Sequence, residues 1–212
     1  MPLLQPLERL RFDPAAHRYA WDDVWLPYST TQVVSDLTPQ AKAQIERTKD
    51  GPNGWAIRGS TIHGWLESNL LGEAEASHGD FTDWIEALRD CWLWEDCEPL
   101  AVEYRLCDPR KRVAGSFDFL LRTAKGTVVL GDLKSVSSAP AAKSRKTADS
   151  QLGSYVHMLA LHHPTITVER CVTVVSGPGV CEVKASQPDA CVEAWLDAWE
   201  RFQVEQELQW GF

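Results

Sequence analysis

Residues 113–135 read VAGSFDFLLRTAKGTVVLGDLKS. Two runs rich in Val, Leu and Phe, 113–121 and 127–134, flank Ala124-Lys125-Gly126, so the stretch predicts a β-hairpin. Each run carries one carboxylate, Asp118 in the first and Asp132 in the second. Strand pairing can set these two side by side. Asp132 and Lys134 are two apart, so on a strand both side chains leave the same face. Two carboxylates and one ammonium then meet at a sheet edge. Close carboxylates repel, and burial raises the cost. A hard divalent cation with oxygen ligands relieves it, polarises a phosphoryl oxygen and lowers the pKa of a bound water. A neighbouring lysine orients that water or stabilises charge developing at phosphorus. A plainer reading stands beside this one: Asp-x-Lys is a common surface triplet, and Asp118 can simply pair with an arginine.

Outward from the hairpin, residues 100–107 predict a third strand, joined to the first run by Asp108-Pro109-Arg110. Downstream, residues 143–148 read as a polar, basic loop, 151–162 as a helix, 168–175 and 180–183 as two strands, and 188–208 as an amphipathic helix. Upstream, short strands are expected at 10–12, 17–21 and 24–26, with Asp22-Asp23 as a turn. A short helix follows, capped by Ser29, Thr30 or Thr31, then one from Pro39 to about residue 49 and a loop at 50–54. Helical spacing of Ile62, Trp65, Leu66 and Leu70 predicts a helix over 55–71, closed by Gly72, and a second runs over 81–94. An antiparallel meander followed by a crossover helix and another strand is α/β (α+β) architecture, a central mixed sheet flanked by helices. Residues 1–54 are expected to form a small N-terminal elaboration on a core at 55–212, one compact domain overall.

The 212 residues suffice for one sizeable core, with 44% apolar and 24% charged residues. No apolar run approaches the ~20 residues of a membrane span, and the N-terminus is not a secretory signal. A cytoplasmic protein of a bacterium or phage-infected cell is expected, with no membrane partner. The net charge of −9 argues against a nonspecific polyanion binder. Residues 105–146, however, hold ten bases against three acids, leaving −16 on the remainder. That window is either a phosphate-binding footprint or an asymmetry without a partner. The six cysteines form no CxxC pair, so reduced, buried thiols are expected in place of disulfides or a metal cluster. Of the ten tryptophans, Trp65, Trp84, Trp195 and Trp199 sit on apolar helix faces, whereas Trp21, Trp25 and Trp55 are candidates for stacking on bases.

Further residues join the hairpin chemistry. Gly59, His63 and Glu67 form one stripe of the 55–71 helix. His63 is either a metal or phosphate ligand or a satisfied structural histidine. Gln151 and Tyr155, four apart on the next helix, can contact a phosphate or hold Lys134, although Tyr155 also suits a core position. Glu103 lies where it can face Asp118, or is simply solvated.

In order, Gly59-x3-His63-x3-Glu67, Glu103, Gly115-Ser-Phe-Asp118, Gly131-Asp132-Leu-Lys134 and Gln151-x3-Tyr155 resemble the RecB-like branch of the PD-(D/E)XK nucleases, across about residues 58–162. The stretch from His17 to Thr31 is similar to the lead-in of phage and mitochondrial genome-maintenance exonucleases of that branch. The resemblance implies a restriction-endonuclease-like core and DNA hydrolysis with Mg2+ or Mn2+. It implies His63, Asp118, Asp132 and the Leu133 carbonyl as metal ligands, and Asp118, Asp132 and Lys134 as catalytic residues. It further implies that Gln151 and Tyr155 organise the site and contact DNA, with Glu67, Glu103, Arg58, Lys143, Arg145 and Lys146 supporting it or contacting DNA. The iron–sulfur cysteines of some members are absent, so no cluster is expected, and no P-loop of a helicase motor appears. An exonuclease acting on free ends in replication, recombination or DNA degradation is the first expectation. A site-specific endonuclease, a catalytically silent DNA-binding module and an assembly protein are the competitors.

Overall fold

The computed structural model describes residues 3–51, 54–74 and 77–210; the expected loop at 50–54 falls partly outside them. Strands β1 (Leu10–Asp13), β2 (Arg18–Trp21) and β3 (Val24–Trp25) form a small antiparallel sheet. Asp22 and Asp23 turn it at φ 50° and 64°, the twist a two-residue hairpin requires. The main sheet contains β4 (Tyr28–Ser29), β5 (Glu98–Asp108), β6 (Val113–Arg122), β7 (Val128–Ser135), β8 (Arg170–Gly177) and β9 (Val180–Ser186). β5, β6 and β7 are the antiparallel meander; β8 returns parallel to β7, and β9 closes antiparallel.

β6 decides the architecture. β5 occupies one of its edges throughout. The other edge is divided: β4 pairs in parallel with Val113 and Ala114, and β7 pairs with 119–122. Asp118 therefore lies at a fork in the sheet, where β6 has left β4 and not yet met β7.

Helices cover both faces. On one, α3 (Trp55–Leu71) and α4 (Thr82–Arg89) bury Ile62, Trp65, Leu66, Ile85 and Leu88 against Phe119, Leu121 and Leu133. On the other, α6 (Asp149–His162) and α7 (Pro188–Trp210) bury Tyr155, Met158 and Trp195 against Phe117, Leu120 and Leu130. Short helices α1 (Thr30–Val33) and α2 (Pro39–Arg47) link the small sheet to α3. Tyr19 and Leu26 join Cys107 and Ala114, which seats the N-terminal hairpin on the main sheet.

Two sequence expectations need correction. The single helix over 81–94 is broken: 3-10 turns at Gly79–Phe81 and Trp92–Trp94 flank α4. The basic loop is partly helical, since α5 (Ala139–Ser144) starts at a Ser138 cap with proline in its first turn and includes Lys143. No helix among the described residues is long and apolar enough to cross a membrane.

Candidate active site and metal centre

The fork gathers acids from three strands. β5–β6 pairing, Val102 with Phe119 and Tyr104 with Phe117, brackets a rung of Glu103 and Asp118. β6–β7 pairing ends at Phe119 and Gly131, so Asp118 and Asp132 face each other one step on. The Leu133 N–H donates to Asp118 Oδ2, fixing the carboxylate across the gap. His63, two turns into α3, approaches from the helix layer. Its Nδ1 lies 3.2 Å from Asp118 Oδ1 and 3.6 Å from Glu103 Oε1. One ligand atom from each of His63, Glu103 and Asp118 lies within 4.8 Å of the others, room for one metal ion. Burial disfavours the imidazolium, but Asp118 and then Glu103 outweigh it and raise the His63 pKa to about 10. Glu67 stays half-buried one turn along, its carboxyl pushed up by burial and by Glu103.

Asp132 sits deeper, 1% exposed. Burial and the charge on Asp118 push its pKa up to about 6, against the pull of Lys134. Lys134 Nζ lies 2.7 Å from Asp132 Oδ2, an ion pair inside the site. A buried carboxylate beside a His–Glu–Asp cluster is an oxygen-rich donor set that fits a hard cation. Lys134 Nζ also donates to Gln151 Oε1 at 2.9 Å, and Gln151 Nε2 donates to the Tyr155 hydroxyl at 3.3 Å. Burial holds the Tyr155 pKa well above the ordinary phenol range, so this chain ends in a protonated hydroxyl.

A cleft of about 580 Å3 opens beside Lys134 and Gln151, with Arg145 and Lys146 on one wall and Val34 and Asp36 of the α1 side on another. Lys184 braces that basic wall, donating to the carbonyls of Lys143 and Arg145 at 2.8 and 2.5 Å. Arg58 is not at the surface: it is 8% exposed, and its Nε has no hydrogen-bond partner.

The structure thus brings together His63, Glu103, Asp118, Asp132, Lys134, Gln151 and Tyr155. Glu103, which the sequence suggests only as a supporting residue, joins the three-residue cluster, whereas Asp132 turns toward Lys134. Asp36 on the cleft wall goes unnoticed in the sequence, where nothing distinguishes it from other surface acids. The basic window does not gather into one patch. Arg105 lies over the Phe12 ring, Lys111 over Trp199, and Arg122 pairs with Glu98 at 3.1 Å.

A divided mixed sheet flanked by helices, with acids at its fork and a lysine two residues on, is the architecture of a restriction-endonuclease-like fold. The model of the PD-(D/E)XK nuclease superfamily matches residues 27–209, and the chain belongs to that superfamily. The match begins just before β4 and leaves out the N-terminal sheet. No curated protein matches the sequence. Among solved structures the chain is similar to the crystal structure of SSO0001, with 16% identity and a TM-score of 0.42, over 80% of this chain and 73% of that one. Membership implies a metal-dependent nuclease and suggests DNA as its substrate.

Proposed function

We propose that the protein is a RecB-like DNA exonuclease that hydrolyses phosphodiester bonds from free ends with Mg2+ or Mn2+. One observation carries the reading: acids from β5 and β6 converge on His63, beside Asp132 of β7 and a lysine held by Gln151. His63, Glu103 and Asp118 would hold the metal, with Asp132 and the Leu133 carbonyl beside them. A metal held by these residues would lower the pKa of a water and draw charge from a phosphoryl oxygen. Lys134 has three N–H donors. Gln151 accepts one and Asp132 attracts a second, which leaves the third for a phosphate oxygen in the cleft. Arg145 and Lys146 would hold the flanking backbone, and Tyr155 fixes the amide that orients Lys134.

The test uses end-labelled linear DNA, single- and double-stranded, beside a covalently closed circle, with Mg2+ or Mn2+. Loss of linear substrate alone is expected, with Asp118→Asn and Lys134→Met each lowering kcat by roughly 100-fold or more. Cutting of closed circles would make the protein an endonuclease. Full activity in both variants would remove the fork as the site.

A further inference from the structure

α1 has a cleft on each side. Val34 and Asp36 face the one that holds Lys134 and Gln151, while Ser29, Thr31, Gln32 and Ser35 face a second of about 790 Å3. The second cleft continues over His17, Arg18, Tyr28, Lys42 and Trp55. No carboxylate is among its described lining residues, in a chain that carries 30 acids and a net charge of −9. Arg18 and Lys42 make it locally basic.

Its aromatics are presented, not packed away. Trp55 is 37% exposed, yet its ring is fixed because Nε1–H donates to the Ile45 carbonyl at 2.8 Å. Trp25 lies outside the lining, 44% exposed, and is joined to the cleft by the Arg18 guanidinium, 4.7 Å over its ring. Trp21 is no platform: it is half-buried, and the His162 ring packs 5.4 Å from it in addition to Arg9. Exposed rings beside cations match what unpaired nucleotides require: π-faces for bases and positive charge for phosphates. A duplex offers phosphates but keeps its bases stacked inside. Trp55 and His63 share α3 and are eight residues apart, roughly 12 Å along the axis. A strand whose phosphate lies at the fork therefore reaches Trp55 within a few nucleotides.

We propose that this second cleft is a base-stacking subsite for the unpaired strand flanking the scissile phosphate, so that the substrate is single-stranded DNA. The identity of the strand rests on the nuclease reading given above.

The test is binding without cleavage. Fluorescence anisotropy in EDTA compares a labelled oligothymidylate of about 15 nucleotides with a duplex of equal length, at the upper end of single-strand site sizes. The unchanged protein should bind the single strand at least about tenfold more tightly. Trp25→Ala and Trp55→Ala should each weaken single-strand binding roughly 5- to 150-fold, as loss of one stacked base does, and change duplex binding less than about twofold. Trp25→Phe and Trp55→Phe should restore most of it. If Trp55→Ala fails to fold for want of its bond to α2, Trp25→Ala on the exposed hairpin decides alone. Equal losses on both DNA forms, no loss, or a duplex preference would overturn the proposal. Because no cleavage is read, the two readings fail separately. A protein that binds single strands through Trp25 but never cuts DNA refutes only the nuclease; one that cuts and ignores the tryptophans refutes only the subsite.

Discussion

Glu103 holds φ at +45° inside β5, where a residue with a Cβ sits only under constraint. Such strain costs about 1–3 kcal/mol, so surrounding contacts must impose it. The pairing skips the rung between Val102–Phe119 and Tyr104–Phe117, as it also shifts between Pro99 and Ala101, and Glu103 leaves it to approach His63. With Asp118 on the same imidazole and the charge on Glu103 already raising the Glu67 pKa, this is a crowd of negative groups that a cation relieves. Glu103→Gln keeps the shape and removes one charge. Differential scanning fluorimetry with Mn2+ should then show most of the metal-induced rise in Tm lost. The Tm without metal should stay within the few degrees that about 1 kcal/mol represents in a domain this size. A full metal shift in the variant would take Glu103 out of the ligand set. This role was beyond sequence reading, because it depends on one backbone dihedral and not on residue type. Asp118, Asp132 and Lys134 were legible because period-two alternation and hairpin pairing are local rules.

At the scale of elements, the fork exists because two glycines let neighbours come close. A Cβ on Gly131 would stand 1.9 Å from Phe119 Cζ, so the Phe119 ring lies across β7 where a side chain would be. A Cβ on Gly115 would meet Thr30 of α1 at 2.7 Å and Tyr155 of α6 at 2.9 Å. Gly131→Ala should cost about 1–3 kcal/mol by overpacking. In a Phe119→Leu background the same change should cost less, with a coupling of about 0.5–3 kcal/mol in a urea double-mutant cycle. Additive losses would mean that the ring is not what excludes the methyl. A second clamp joins β5, β6 and α6. Asp108 Oδ1 accepts from the N–H groups of Arg110 and Lys111 at 2.9 and 3.0 Å, and His157 Nε2 lies 2.8 Å from Oδ2. Burial pushes the Asp108 pKa up, but His157 and the two N–H groups outweigh it and leave it below 3.8. Its stabilisation is therefore present above the ordinary carboxylate value and lost as pH falls through the lower folded one. Asp108→Asn should lower stability by about 1–3 kcal/mol near pH 7, a gap that closes as pH falls through the lowered folded value in urea melts. A gap constant with pH would mean that the charge contributes nothing. Elements were legible where their signals are local. α3 runs from Trp55 to Leu71 as its spacing predicts, and Gly72 closes it at φ +68°. β4 was not, since it is two residues long and its partner Val113 lies far along the chain. The break after Arg89 escaped because apolar spacing continues through Leu93 while the backbone tightens into a 3-10 turn.

Over the whole molecule, charge is sorted in space and not along the chain. The window at 105–146 loses Arg105 to Phe12, Lys111 to Trp199 and Arg122 to Glu98, so a linear count overstates its footprint. What remains at the site is Lys134, Arg145 and Lys146 in one cleft and Arg18 and Lys42 in the other, on either side of α1. Arg18 and Lys42 lie outside the window altogether, which is why composition alone could not point to them. On the proposed reading, an acidic body around five cations would orient a strand along the two clefts and repel it elsewhere. Each phosphate neutralised on a single strand releases about 0.7 of a counterion, so five contacts give a slope of log K against log salt near −3.5. Anisotropy with oligothymidylate in EDTA, between about 50 and 200 mM salt, reads that slope directly. Arg18→Ala, Lys42→Ala, Arg145→Ala and Lys146→Ala should each make it shallower by about 0.7, and the tryptophan variants should lower affinity at an unchanged slope. If substitutions beside Lys134 change the slope while Arg18→Ala and Lys42→Ala do not, the strand occupies one cleft only. If all four do, it runs across α1 from one cleft to the other.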